Sequence, residues 1–107
     1  MQFLFNSRDR HIANFVNGQL HSPSGPNVGH YLERQRIFID MRGRYLGEIV
    51  HENRLMSNRS SGHRSVNYGS YGNYGNVGNF GSPGNAGSIG SIGGFEDIPL
   101  DRLGQDA

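Results

Sequence analysis

Apolar residues in the first half of the chain occur in short runs separated by polar turns. Three segments share one order of residue types: an apolar strand, a four-residue turn, and a second strand with a small residue at its centre. They are residues 4–15, 20–31 and 38–49. Alternation with a period of two is typical of β-strands, and turns at fixed offsets are typical of hairpins. The pattern predicts an all-β protein of consecutive β-hairpin repeats, spaced by about 17 residues.

The turns carry the residue types that a tight hairpin needs. A short polar residue, which can accept a hydrogen bond from the backbone two residues later, begins each turn: Asn6, Ser22 or Asp40. Three residues later comes the left-handed position that closes a type I turn with a bulge: Asp9, Gly25 or Gly43. A degenerate fourth copy runs from Leu55 to Tyr68. We therefore expect four hairpins within a repeat domain of residues 1–68, since a fourth copy or the following Gly-rich residues would cover exposed strand edges.

A second period begins at Gly69. Nine consecutive triplets, ending at Phe95, start with Gly, continue mainly with Asn or Ser and usually end with an apolar residue. A polyproline II-like helix, with three residues per turn, would place every Gly on one edge and every apolar residue on another. Residues 69–95 are therefore expected to form an extended segment that packs on the body or on a partner chain. A disordered linker is the alternative, because ordering Gly costs more backbone entropy than ordering any other residue.

Charge is distributed unevenly. All ten basic residues are arginines, and nine of them precede Ser65. Residues 96–107, predicted to form an acidic C-terminal tail, carry four acidic residues and one arginine. This asymmetry suggests an electrostatic contact within the chain or between subunits. The alternative is that it only keeps the protein soluble, which the usual weakness of exposed ion pairs favours. The tail also contains apolar residues that we expect to dock on the body: Ile98, Leu100 and Leu103.

The repeats resemble a known family. The segments 24–31, Ser-Gly-Pro-Asn-Val-Gly-His-Tyr, and 42–49, Arg-Gly-Arg-Tyr-Leu-Gly-Glu-Ile, are similar to the repeats of the bacterial four-fold beta flower proteins. The likeness covers roughly residues 3–54 and extends at most to residue 68. The first copy departs from it, with Asp9 and Ala13 where Gly is usual. The resemblance implies a small arrangement of hairpins with approximate rotational symmetry about an axis, and no particular activity.

One register of the second strands carries polar side chains. Asn14, His30 and Glu48 occupy the same place in successive repeats, with Tyr68 as the fourth member. Alternation along each strand places the first three on the same face as Ile12, Val28 and Leu46. Under rotational symmetry, equivalent side chains approach one axis, so we expect these residues to converge on an ion, a water molecule or a small polar ligand. The alternative is that the register faces solvent or is buried and simply hydrogen-bonded.

Other chemical signatures are missing from the sequence. There is no cysteine, no lysine, no phosphate-binding loop and no nucleophile elbow, and the five histidines show no ligand spacing. We therefore predict no catalytic residue, no metal and no cofactor. The N-terminal residues do not read as a secretory signal and no run approaches a membrane span, so we expect a cytoplasmic protein without a membrane partner.

The functional prediction follows from the large share of the chain that the two repeat systems occupy. Two repeat systems occupy most of the chain, which favours a non-enzymatic interaction or scaffold module with a protein partner or self-association. The Gly triplets interleave aromatic residues but contain no arginine, which disfavours nucleic acid as the partner. The alternative function is a small-ligand or glycan-binding module, with tyrosines stacking on a sugar. An enzyme is the third class, since no group of residues meets the geometric demands of a catalytic site.

Overall fold

The computed structural model describes residues 1–105, and its sheet confirms the all-β class. Eight strands follow one another in sequence order: β1 (Gln2–Phe5), β2 (His11–Val16), β3 (Gln19–His21), β4 (Asn27–Leu32), β5 (Ile37–Asp40), β6 (Tyr45–Val50), β7 (Arg54–Asn58) and β8 (Phe95–Asp97). Sequential neighbours are antiparallel, and β1 also pairs in parallel with β7, so β1 to β7 form a closed sheet. Two 3₁₀ helices, Gly62–Ser65 and Leu100–Leu103, lie outside it. No helix in residues 1–105 is long and apolar enough to cross a membrane.

Three hairpin turns have the same hydrogen bonds. The backbone N–H groups of Asn6, Ser22 and Asp40 each donate to the carbonyl four residues later, at 2.8–2.9 Å. The Oδ1 atoms of Asn6 and Asp40 also accept from the N–H groups two and four residues later, at 2.9–3.0 Å. The left-handed positions are those predicted: Asp9 (φ 66°), Gly25 (φ 118°) and Gly43 (φ 87°). The predicted side-chain bond to the backbone is therefore present at Asn6 and Asp40, whereas the Ser22 hydroxyl is bonded to that of Ser24.

A β-bulge follows each of these turns. In the first hairpin the pairing register shifts by one residue and leaves Ile12 as the extra residue; the same shift makes Val28 and Leu46 the extra residues in the next two. Ile12 and Leu46 are fully buried in the same cluster as Ala13. The expectation that Ile12 shares a face with Asn14 is wrong, because a bulge interrupts the alternation of side chains along a strand.

The main hydrophobic core fills the closed sheet. Its buried members come from six strands and from the C-terminal segment: Leu4, Ile12, Ala13, Leu20, Phe38, Leu46, Leu55, Ile98 and Leu103. Full burial of a large aliphatic or aromatic side chain contributes roughly 1.5–3 kcal/mol. Ile98 and Leu103 belong to this core and Leu100 packs against it, so the predicted docking of the tail is confirmed.

The fourth hairpin differs from the prediction. Residues 66–68 form no strand, and β8 pairs with β7 instead. The turn after β7 still begins as the others do, since Oδ1 of Asn58 accepts from the N–H of Ser60 at 3.1 Å. The Ser61 side chain then accepts from the N–H of His63 and caps the first 3₁₀ helix, which turns the chain away from β7. The strand that completes the pair therefore comes from distant residues.

A buried arginine and an aspartate close the sheet at the junction of β1, β7 and β8. The guanidinium of Arg54 donates to the carbonyl oxygen of Asn6 at 2.9 Å and to that of Ala86 at 2.8 Å. The Asp97 carboxylate accepts from the N–H and the hydroxyl of Ser7, at 2.9 and 2.6 Å. Because β1 and β8 share one edge of β7, these bonds supply the polar contacts that strand pairing cannot make there.

Ion pairs join the tail to the body. Arg64 lies 3.2 Å from Glu96, so one contact between the basic body and the acidic tail forms within the chain. The tail's own Arg102 lies 3.2 Å from Asp40. The acidic residue at position 106 lies outside the described residues, as does the final residue.

Residues 66–94, here called the collar, run along the edge of the closed sheet that carries the turns. Three backbone N–H groups of the collar, nine residues apart, each donate to the left-handed residue of a different turn. The pairs are Tyr68 with the Gly43 carbonyl (2.9 Å), Val77 with the Gly25 carbonyl (3.1 Å) and Ala86 with the Asp9 carboxylate (2.7 Å). The collar thus meets the three turns in the reverse of their sequence order.

The collar backbone is not a polyproline II helix. Six glycines that begin triplets have φ between 76° and 86°, whereas polyproline II requires about −75°: Gly69, Gly75, Gly78, Gly81, Gly84 and Gly87. An asparagine two residues earlier explains five of them, since Oδ1 of Asn73, for example, accepts from the N–H of Gly75 at 2.7 Å. The polyproline II prediction is therefore wrong, and a repeated asparagine turn, which requires Gly, takes its place.

Replacing Gly43 with alanine tests the contact between a turn and the collar. A Cβ atom at this left-handed residue would overlap the backbone of Gly69. We expect Gly43→Ala to lower the free energy of unfolding by about 2–4 kcal/mol, from backbone strain plus a displaced contact. Urea denaturation measures the loss.

The matched control is Gly18→Ala. Gly18 has a similar φ of 79°, but the space around its Cβ position is open. We expect this variant to lose only about 1 kcal/mol, from backbone strain alone. Equal decreases in the free energy of unfolding of the two variants would show that the collar does not pack closely against the turn at Gly43.

Candidate functional site

The structure does not bring the four predicted site residues together. Asn14, His30 and Glu48 alternate along their strands with residues that belong to or pack on the main core, so they lie on the outer face of the closed sheet. Side chains that point away from the axis of a closed sheet diverge around its circumference. The expected convergence is therefore absent, and a role of any one of these residues in binding a ligand stays a prediction.

Asn14 is fully buried on this outer face. Its Oδ1 accepts a hydrogen bond of 2.6 Å from Nε2 of His11, whose ring contacts that of Phe3 edge-on at 5.2 Å. The Asn14 Nδ2 atom has no hydrogen-bond partner within residues 1–105. Asn14 is thus a largely structural group whose amide nitrogen has two unused N–H donors.

His30 lies beneath the aromatic part of the collar. Its Nδ1 atom is bonded to Oε1 of Gln19, and its ring centroid lies 5.1 Å from that of Tyr71 and 5.7 Å from that of Tyr74. Only 1% of His30 is exposed, and this burial lowers the pKa of the imidazole. Its Nε2 atom has no partner within the described part of the chain. A buried, neutral imidazole with one vacant ring nitrogen therefore sits under two tyrosines.

Glu48 and Tyr68 belong to a third region. The Tyr45 hydroxyl donates to Oε2 of Glu48 at 2.6 Å and accepts from the N–H of Asn58 at 2.9 Å. Burial, followed by the bond to Glu48, raises the pKa of the Tyr45 phenol. Tyr68 packs against the smaller outer cluster that contains Tyr45, and its hydroxyl is bonded to Nδ1 of His63. Glu48 is thus bonded within the sheet, and Tyr68 packs on the sheet from the collar.

A separate cavity, here called the arginine cavity, has a volume of about 400 Å³. Its walls come from the turn after β5, the first 3₁₀ helix and the second 3₁₀ helix. The lining residues are Asp40, Arg42, Arg44, Tyr45, Arg64 and Arg102. The sequence analysis missed this site, because the three arginine-bearing segments are far apart in the chain. The only local signal was the pair of arginines that flank Gly43.

Comparisons with known proteins add no assignment. No family model, no curated protein and no solved structure matches this chain. Within residues 1–105, no three His, Cys, Asp or Glu side chains are grouped so that they could hold a metal ion. The geometry of the collar and of the arginine cavity is therefore what a functional proposal can be built on.

The proton equilibrium of His30 should make stability depend on pH. Burial holds the pKa of folded His30 below 6.5, the value that the unfolded chain retains. As the pH falls below this value the unfolded chain binds a proton first, so the free energy of unfolding decreases until the pH passes the lowered pKa. We expect His30→Gln to remove this loss, whose slope is at most about 1.4 kcal/mol per pH unit.

Urea denaturation of the wild type and His30→Gln between about pH 7.5 and 5 measures the effect. The control is His51→Asn, at an exposed turn residue with φ 47°, a conformation that Asn tolerates. This control should keep the loss of stability that His30 causes in the wild type. Identical profiles for the wild type and His30→Gln would contradict the burial of a neutral imidazole.

Proposed function

We propose that this protein is a non-enzymatic interaction or scaffold module, in which the closed sheet holds the collar as a contact surface for a protein partner or a second copy. The observation that carries the proposal is an anchored backbone with exposed aromatic side chains. Tyr71, Tyr74 and Phe80 are 44%, 61% and 42% exposed. Fixing such rings before binding reduces the entropy that association costs, and Tyr and Phe are enriched at protein interfaces.

The architecture proposed for this module is an approximately rotational repeat of four hairpin units, with the collar as an ordered packing element. Three turns with the same hydrogen bonds and the same bulge support it. The fourth unit would be completed by β7 and β8, which are separated by the collar. The nine residues between successive collar N–H groups that bond to the turns would then span the distance from one hairpin unit to the next. Membership of the four-fold beta flower family is part of the same proposal.

The state of the acid–base groups supports a role without catalysis. Glu48 accepts a hydrogen bond from Tyr45, and the pKa of that phenol is raised. His30 is buried, and its partner through Nδ1 is an amide rather than a nucleophile or a carboxylate. A general base needs access to the proton it removes and a pKa near the working pH, and neither pair offers both.

A second candidate function is small-ligand or glycan binding. The vacant Nε2 atom of His30 lies beneath the exposed rings of Tyr71 and Tyr74. The exposed ring faces of these two tyrosines suit a sugar, whose apolar face stacks on aromatic rings. A glycan array probed with the wild type and Tyr74→Ser distinguishes this function, because binding should depend on that ring.

The proposed interaction surface is tested with the double variant Tyr74→Ser, Phe80→Ser. We expect the immobilised wild type to capture a protein from bacterial lysate, or to self-associate in light scattering across a concentration series. The double variant should lose most of that binding, because each ring removed contributes apolar contact area worth roughly 1–3 kcal/mol. Urea denaturation checks that the variant remains folded.

The control for this experiment is Val66→Ser. Val66 is 43% exposed, about as much as Phe80, but it is the first residue of the collar and lies outside the aromatic stretch from Tyr71 to Phe80 that carries the proposed surface. It should bind as the wild type does. A wild type that stays monomeric and captures no protein would refute the proposal, and so would a partner that binds the double variant equally well.

A further inference from the structure

The arginine cavity concentrates positive charge, which the ion pairs of Arg64 with Glu96 and of Arg102 with Asp40 compensate only in part. Four guanidinium groups and one carboxylate line about 400 Å³. Like charges that share a cavity repel one another, and a bound anion relieves that repulsion. The question is whether the arginines are placed to receive an anion or are engaged by other groups.

Two of the arginines form fixed walls. Arg64 donates through Nε to the Asn58 carbonyl at 2.6 Å and through Nη2 to the Ser57 hydroxyl at 2.7 Å and to Glu96 at 3.2 Å. Its guanidinium also lies over the ring of Tyr45. Arg102 donates through Nη2 to Asp40 at 3.2 Å and to the Tyr45 carbonyl at 3.1 Å. Bonds of this kind hold the two guanidinium planes in place without using all five N–H groups of either one.

The other two arginines retain their donors. Arg42 and Arg44 are exposed, and their side chains form no hydrogen bond or ion pair within residues 1–105. Their backbone N–H groups both bond to Oδ1 of Asp40, which fixes the turn from which the side chains extend. A left-handed Gly43 stands between them. The cavity therefore combines two immobilised guanidinium groups with two that are available.

We propose that the arginine cavity binds the phosphate group of a small ligand. A phosphate offers up to two negative charges and three strong acceptor oxygens, and the planar guanidinium fork can bind two of these oxygens at once. The cavity volume lies within the range of small-molecule sites, so a phosphate monoester fits the space as well as inorganic phosphate does. None of the collar's aromatic rings lines this site. The tests of phosphate binding and of the proposed interaction surface can therefore give different outcomes.

The test is titration of the full chain with inorganic phosphate, followed by calorimetry and by thermal unfolding. We expect phosphate to bind and to raise the unfolding temperature, because a ligand that binds only the folded state stabilises it. The double variant Arg42→Gln, Arg44→Gln should bind at least roughly tenfold more weakly, since it loses charged hydrogen bonds. Because neither side chain has a protein partner in residues 1–105, the variant should remain as stable as the wild type.

The matched control is Arg8→Gln, Arg10→Gln. These arginines occupy the same two positions in the first turn, where Asn6 accepts from both of their backbone N–H groups. The control removes the same charge from the protein and should bind phosphate as the wild type does. A phosphate monoester such as glycerol phosphate, titrated in the same way, shows whether an organic substituent is accommodated.

Three results would overturn the proposal. The first is no binding of phosphate by the wild type at concentrations up to roughly 10 mM, a level far weaker than functional sites require. The second is equal weakening in both double variants, which would reveal a non-specific effect of net charge. The third is equal stabilisation by chloride at the same ionic strength, which would reveal screening alone.

Discussion

The structure depends on three backbone hydrogen bonds that join the collar to the left-handed residues of three turns. No residue of the collar is buried, although most of its triplets end with an apolar side chain, and each ordered glycine costs backbone entropy. The bonds to Gly43, Gly25 and Asp9 give the collar fixed points at equal intervals. Between these points the asparagine turns set the local backbone. Hydrogen bonds to the turns and within the asparagine turns thus hold the collar in place more than burial of apolar surface does.

The two periods of the sequence depend on each other. A glycine at the left-handed position of a turn lets the collar approach, because a Cβ atom at Gly25 or Gly43 would collide with it. A glycine at each third position of the collar permits the turn that keeps the next anchor in phase. Asp9, which has a side chain, also binds the collar, but it accepts the hydrogen bond from Ala86 with its carboxylate, whereas Gly25 and Gly43 accept with their backbone carbonyls.

Local chemistry explains how much of this could be predicted. The turns were predictable because Asn6, Asp40 and Gly43 fix them through bonds within five residues. A type I turn with a left-handed residue implies a bulge in the strand that follows. Simple alternation ignores this bulge and puts Ile12 on the outer face with Asn14, whereas Ile12 lies in the main core. The three residues of β8 carry no strand pattern of their own, and their pairing with β7 is set by the collar's length.

The candidate sites show the same limit. Asn14, His30 and Glu48 occupy equivalent positions in their repeats, but their side chains lie on the outer face of the closed sheet. Equivalent side chains on this face lie far apart around the sheet, whereas equivalent side chains on the inner face would approach one another. The asparagine spacing that rules out polyproline II was visible in the sequence, since an asparagine stands two residues before many of the glycines. The arginine cavity could not be read from spacing, because Arg64 and Arg102 reach it from segments that only the fold brings together.

Amide hydrogen exchange along the collar tests the central claim most directly. We expect slow exchange at the N–H groups of Tyr68, Val77 and Ala86, which donate to the three turns. The N–H groups of Tyr74 and Ile89, which donate to Asn27 and Ser7, should also exchange slowly. The N–H groups of Tyr71 and Phe80, which form no hydrogen bond within residues 1–105, should exchange quickly. Uniform exchange across residues 66–94 at the rate of an unstructured peptide would contradict an anchored collar.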